Sequence, residues 1–116
     1  MSETSLQHLN PKERQALTEF VQRLREQFDG GLSSALLFGS RARGEGSPDS
    51  DLDVLVVVTS KDWRVHKHVR YLAADICLKY DLELSPRVWS TAHLREMERL
   101  QTHLYQNIRK DGINLL

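Results

Sequence analysis

The stretch from Leu36 to Val58, LLFGSRARGEGSPDSDLDVLVVV, constrains this chain most. A short apolar run leads into Gly39-Ser40, a charged loop with Gly and Pro follows, and Asp51 and Asp53 open a second, longer apolar run. Ala35 to Phe38 is too short and too uniformly apolar for an amphipathic helix and predicts a strand buried on both faces. Leu52 to Thr59 is rich in Val and Leu, with its acids gathered at one end, and predicts a central strand. Side chains alternate along a strand, so Asp51 and Asp53 project from one face with Leu52 turned away. Two carboxylates side by side repel unless a cation neutralises them, and hard oxygen donors suit Mg²⁺ or Mn²⁺. At Gly39 no side chain separates the backbone from a ligand. Ser40 adds a hydroxyl and an amide at the start of a helical turn, which suits a phosphate. Arg41 and Arg43 lie close by, and a guanidinium fork matches phosphate oxygens, so one of them is expected to reach a nucleotide. Phosphate donors beside paired acids imply phosphoryl or nucleotidyl transfer through a two-metal arrangement, which a third carboxylate would complete.

The flanking segments supply a scaffold. Asn10-Pro11-Lys12-Glu13 predicts a helix start, with Asn10 as cap, Pro11 in the first helical position and Glu13 reaching back to the cap's amide. Leu17, Phe20, Val21, Leu24 and Phe28 then form one apolar stripe over a helix of about residues 11–28, which Asp29-Gly30-Gly31 stops. Val65, Val69, Leu72, Ala73, Ile76 and Tyr80 recur at helical spacing between Asp62 and Tyr80, as a crossover helix packed on a sheet requires. Leu82 to Trp89 alternates and predicts a third strand, with Leu82 and Leu84 on one side and Asp81, Glu83 and Ser85 on the other. Pro86 cannot donate to a ladder, so this strand belongs at an edge or carries a bulge. Ser90 or Thr91 caps a last helical region with Leu94, Met97, Leu100, Leu104 and Ile108 on its apolar face, a break near Gln101-Thr102 and an end at Gly112.

Composition excludes some functions. With 16 Lys+Arg against 16 Asp+Glu, nothing predicts broad electrostatic binding to nucleic acid or acidic membranes. The single Cys77 excludes an intramolecular disulfide and any CxxC motif, fits a reducing cytosol and reads as a small buried hydrophobe on a helix. The N-terminus lacks an apolar signal core, and no run approaches the roughly 18 residues of a membrane span, so a soluble, cytoplasmic protein is expected. The chain of 116 residues shows no repeat or linker and is expected to form one domain over 1–116. His66 and His68 do not share a helix face and read as solvated residues, and His8, His93 and His103 lack partner spacing. Trp63 and Trp89 read as packing anchors, with a surface for a partner or a base as the alternative. Arg64, Lys67 and Arg70 read as an exposed helix face, Asp49 as a turn residue, and Gly44-Glu45-Gly46-Ser47-Pro48 as a connection whose closure over a nucleotide stays open.

Gly39-Ser40-Arg41-Ala42-Arg43-Gly44, a twelve-residue step from Gly39 to Asp51, and Ser50-Asp51-Leu52-Asp53 before a run of Val resemble the GSxARG…SDxD signature of minimal nucleotidyltransferases in the DNA polymerase β-like superfamily. Leu84-Ser85-Pro86 with Val88, and Asn107-Ile108 before Gly112-Ile113, are also similar to that family, and the likeness covers the whole chain in element order. The resemblance implies an α/β fold of the polymerase β type, a small mixed sheet of about three strands with helices packed mainly on one face. It implies that Gly39 and Ser40, with Arg43, bind the nucleotide and that Asp51 and Asp53 bind Mg²⁺. The family's third acid lies on the third strand, binds metal and helps deprotonate the attacking hydroxyl. Glu83 takes that place here, with Asp81, one pleat away, as the alternative.

The reaction so implied is Mg²⁺-dependent transfer of a nucleotidyl group, AMP from ATP with two Mg²⁺ ions, to a hydroxyl. Little chain remains beyond the catalytic unit, so the acceptor or a partner is expected to complete the site. Stand-alone members of the family resemble the antitoxin halves of toxin–antitoxin pairs whose partner is a HEPN-domain protein, which makes a tyrosine of such a partner the sharpest acceptor. The alternative is a non-catalytic module that neutralises a HEPN-domain partner by complex formation. Transfer to a small molecule ranks third, and homo- or hetero-oligomer formation stays open.

Overall fold

A computed structural model describes residues 6–45 and 50–116. Asp49 and part of the loop beginning at Gly44 lie outside the described residues. The helix start at Asn10 forms as its sequence predicts. The Asn10 side chain accepts the Glu13 amide at 2.7 Å, and the Glu13 carboxylate accepts the Asn10 amide at 2.9 Å. Helix α1 (Pro11–Gln27) follows and buries Ala16, Leu17, Phe20, Val21 and Leu24 along one stripe.

Four strands make one mixed sheet in the order β3-β2-β1-β4, where β1 is Leu32–Phe38, β2 Leu52–Val58, β3 Leu84–Ser90 and β4 Ile113–Asn114. The central strand β2 runs antiparallel to β1 and parallel to β3. Val54 through Val58 are all fully buried, because both faces of β2 are covered. On one face Val54, Val56 and Val58 join Ala35, Leu37 and the stripes of α1 and α2 (Trp63–Tyr80) in the larger core. On the other face Leu55 and Val57 pack with Trp89, Ile108 and partly buried Leu36, Phe38, Leu94, Met97 and Leu104. That smaller layer comes from α3 (Thr91–Leu100) and α4 (His103–Asp111), so most of the helical packing lies on the α1–α2 side.

Local signals account for the boundaries. Asp62 caps α2 through the Arg64 amide, and Asp81 ends it in the left-handed conformation at φ 52°. The expected break in the last helical region is real: Gln101 closes α3 at φ 49°, and Thr102 caps α4 by accepting the Tyr105 amide at 3.1 Å. Gly112 follows α4 because a Cβ there would strike the main-chain carbonyl of Ile108. Pro86 lies in β3 at the sheet edge, opposite Val54. Two expectations need extension. β1 starts at Leu32 rather than Ala35, through a register irregularity between Leu32 and Ser34, and the two-residue β4 on its far side brings the sheet to four strands. The tryptophans divide: Trp89 is buried as an anchor, whereas Trp63 is 65% exposed with Lys67 over its ring.

Phe20 is completely buried at the centre of the larger core. Phe20→Ala is expected to lower the unfolding free energy by about 3–5 kcal/mol, read from the denaturant midpoint. A loss below ~1 kcal/mol would contradict this packing.

Candidate active site

Strand pairing brings the phosphate turn and the acids together. Phe38, the last residue of β1, lies opposite Asp53, near the start of β2, so Gly39 leaves the sheet beside the Asp53 carboxylate. Gly39 has φ 77°, and a Cβ there would lie 2.7 Å from Asp53 Oδ2. Both the backbone conformation and the close approach require glycine. The chain then coils into a turn in which the Gly39 carbonyl accepts the Ala42 amide at 3.1 Å and the Ser40 carbonyl accepts the Glu45 amide at 2.9 Å. Ser40 thus opens a helical turn, as its sequence context predicts.

Asp53 shares its sheet face with Phe38, Leu55 and Val57, the face that α3 and α4 cover farther along the strands. Its neighbour across β3 is Ser85, and the Ser85 hydroxyl donates to Asp51 Oδ2 at 3.2 Å. Burial pushes the Asp53 carboxyl above the usual aspartate range, the Asp51 charge adds to the effect, and Arg87 opposes it. Asp51 is exposed. Two carboxylates on one face, one of them partly desolvated and repelled by the other, fit a hard divalent cation. Asp51 and Asp53 are the residues that could hold it.

Asp81 and Glu83 occupy different settings. Asp81 is the left-handed cap of α2, and its carbonyl accepts from Lys12 Nζ at 3.3 Å. Glu83 stands at the mouth of β3, where its carbonyl accepts the Leu52 amide at 2.9 Å and its side chain is exposed. Among the described residues no three His, Cys, Asp or Glu side chains converge on a point that would hold a metal ion. A polar cleft of about 460 Å³ lies beside Glu83. Asn10, Lys12, Ser50, Leu52, Leu78 and Leu82 are among its walls, and Asp51, Asp53 and Gly39 are not.

The two arginines have different fates. Arg41 is buried and ion-paired with Glu13, so it faces away from a nucleotide role. Arg43 is more exposed and pairs with Glu45 at 3.0 Å and with Asp111 of α4 at 3.1 Å, which hold its guanidinium firmly protonated. Exposed pairs of this kind contribute little, so Arg43 can exchange partners cheaply. Histidines 66 and 68 part company, as their spacing predicts: His66 Nε2 lies 2.9 Å from the Ser60 carbonyl, and His68 packs edge-on to Phe28. Sequence reasoning missed Ser85 and Arg87 at the acid pair. The in-register pairing of β2 with β3 puts them there, and the only available signal was their odd-numbered alternation with Glu83.

The model of the nucleotidyltransferase domain family matches residues 17–114. The chain belongs to that family. "Putative protein adenylyltransferase MJ1305" of Methanocaldococcus jannaschii is 36% identical over 73 residues, which cover 60% of this chain and 50% of that protein. The chain therefore matches only half the length of that relative. "Putative protein adenylyltransferase MJ0604" of the same organism is 29% identical over 100 residues, covering 86% of this chain and 94% of that one. A crystal structure of a toxin-antitoxin with AMP-PNP superposes with a TM-score of 0.56 at 21% identity, over 85% of this chain and 72% of that one. At that identity the likeness speaks for the fold.

The raised Asp53 pKa has a direct consequence for stability. The folded chain holds the Asp53 proton more tightly than the unfolded chain, so stability is lost as pH rises from the ordinary aspartate range through the raised one. Asp53→Asn removes that loss. In metal-free buffer at neutral pH it is expected to raise the melting temperature, with the gain vanishing on acidification. A melting temperature unchanged or lowered at neutral pH would contradict the assignment.

Proposed function

We propose that this protein is a Mg²⁺-dependent nucleotidyltransferase that passes AMP from ATP to a hydroxyl group, most sharply a tyrosine of a HEPN-domain toxin for which it acts as antitoxin in the cytoplasm. The observation that most supports this reading is the close approach of Gly39 to Asp53, where a Cβ would lie 2.7 Å from Asp53 Oδ2. Family membership and the protein adenylyltransferase relatives support nucleotidyl transfer. The toxin–antitoxin neighbour with its bound nucleotide analogue supports the partner and donor classes.

Each residue has a task in this scheme. The left-handed Gly39 opens room at the backbone for the triphosphate, Ser40 offers its hydroxyl and amide, and Arg43 releases Glu45 or Asp111 to reach a phosphate oxygen. Asp51 and Asp53, together with Glu83, would hold Mg²⁺, which would supply neutralisation of the developing phosphate charge. The acceptor oxygen forms a bond to the α-phosphorus, the bond to the bridging oxygen breaks, and pyrophosphate leaves. The acceptor proton passes to the Glu83 carboxylate, which is exposed just before β3.

One observation favours a second reading, a module that neutralises a HEPN-domain partner by contact alone. Ser85, not an acid, lies in register with Asp53, and no third carboxylate joins the pair among the described residues. Incubation with ATP labelled at the α-phosphate, Mg²⁺ and the product of the neighbouring reading frame separates the two. Label is expected on the partner and is expected to fall at least ~100-fold in Asp51→Asn and Asp53→Asn. Tight complex formation without label transfer would establish the binding module instead.

A further inference from the structure

One side chain fastens both ends of the loop between the phosphate turn and the acids. Arg41 directly follows Gly39-Ser40, and its guanidinium donates to the carbonyl of Ser50, the residue before Asp51, at 2.9 Å. Its Nη2 pairs with Glu13 Oε2 in a setting where Arg41 is 6% and Glu13 5% exposed. The other Glu13 oxygen accepts the Asn10 amide, so the same carboxylate closes the N-terminus of α1. The His8 ring contacts the Arg41 carbonyl from the remaining side. A rigid chain of contacts therefore runs from the α1 cap through Glu13 and Arg41 to the peptide that precedes Asp51.

A buried ion pair is weak support for stability, because apolar residues of similar volume often serve the fold as well. Its distinctive product here is geometry: a planar fork spans two acceptors at once, which an ammonium on a flexible stem cannot do. We infer that Arg41 is a positioning residue for the metal-binding carboxylates, with Glu13 as its anchor, and that the pair sets the distance between the Gly39-Ser40 turn and Asp51. The inference rests on the assignment of Asp51 and Asp53 to metal.

Mn²⁺ titration of the full chain, followed by electron paramagnetic resonance without nucleotide, tests it. Arg41→Lys keeps the charge and loses the fork. The double variant Glu13→Gln/Arg41→Met keeps the cap and removes both charges of the buried pair. Both are expected to stay folded and to weaken Mn²⁺ binding about 10- to 100-fold. Phe20→Ala, destabilised through the core, is expected to bind Mn²⁺ as the parent does. Unchanged affinity in either folded Arg41 variant would overturn the inference, as would failure of both to fold, which would reduce the pair to a structural element. Equal weakening in Phe20→Ala would overturn it too. A parent protein that binds no Mn²⁺ would instead overturn the metal assignment itself.

Discussion

The antiparallel pairing of β1 with β2 is the constraint on which the site depends. It sets Phe38 opposite Asp53 and delivers Gly39 to the carboxylate at a distance no other residue tolerates. A one-residue slip would turn Asp51 and Asp53 toward the larger core and bring Leu52 and Val54 toward α3 and α4, so the Asp-Leu-Asp alternation at the head of β2 specifies the register together with the chemistry. The cost of burying an unpaired carboxylate where Leu52 now packs makes such a slip unfavourable. Core packing and active-site geometry are here the same property of one strand.

The acid pair works against this packing. Asp53 is partly withdrawn from water beside a second carboxylate, with Arg87 as a partial counterweight. Such a group persists where a ligand cation relieves the repulsion, and functional sites commonly give up stability in this way. The surrounding structure offsets it by rigidity: Ser85 holds Asp51, and Arg41 with Glu13 holds the peptide before it. The helices contribute through their termini as much as through their stripes. The α1 cap braces the loop, and Asp111 at the end of α4 restrains Arg43.

Much of this was legible in the sequence because the signals are local. Asn10 and Glu13 signal a helix start within four residues, the stripe of α1 repeats at helical spacing, Pro86 marks an edge, and Gln101-Thr102 breaks a helix. The acids sharing a face followed from alternation alone. What stayed hidden depends on distant partners. The two residues of β4 carry no periodic signal, and their strand exists only because β1 has a free edge. Glu13 reads as a cap and turns out to serve Arg41, 28 residues away, a pairing that no spacing rule contains. Arg41 and Arg43 look equivalent in sequence, and burial alone separates their roles. Ser85 acquires meaning only once the parallel register with β2 is known.

The central claim is that Gly39-Ser40 and Asp51-Asp53 form one nucleotide site. A crystal structure of the protein with a non-hydrolysable ATP analogue and Mg²⁺ tests it most directly. The account predicts the triphosphate on the Gly39-Ser40 turn and metal density on the Asp51 and Asp53 carboxylates. A nucleotide seated in the cleft of Asn10, Lys12 and Leu82, with no ion at the two aspartates, would contradict it.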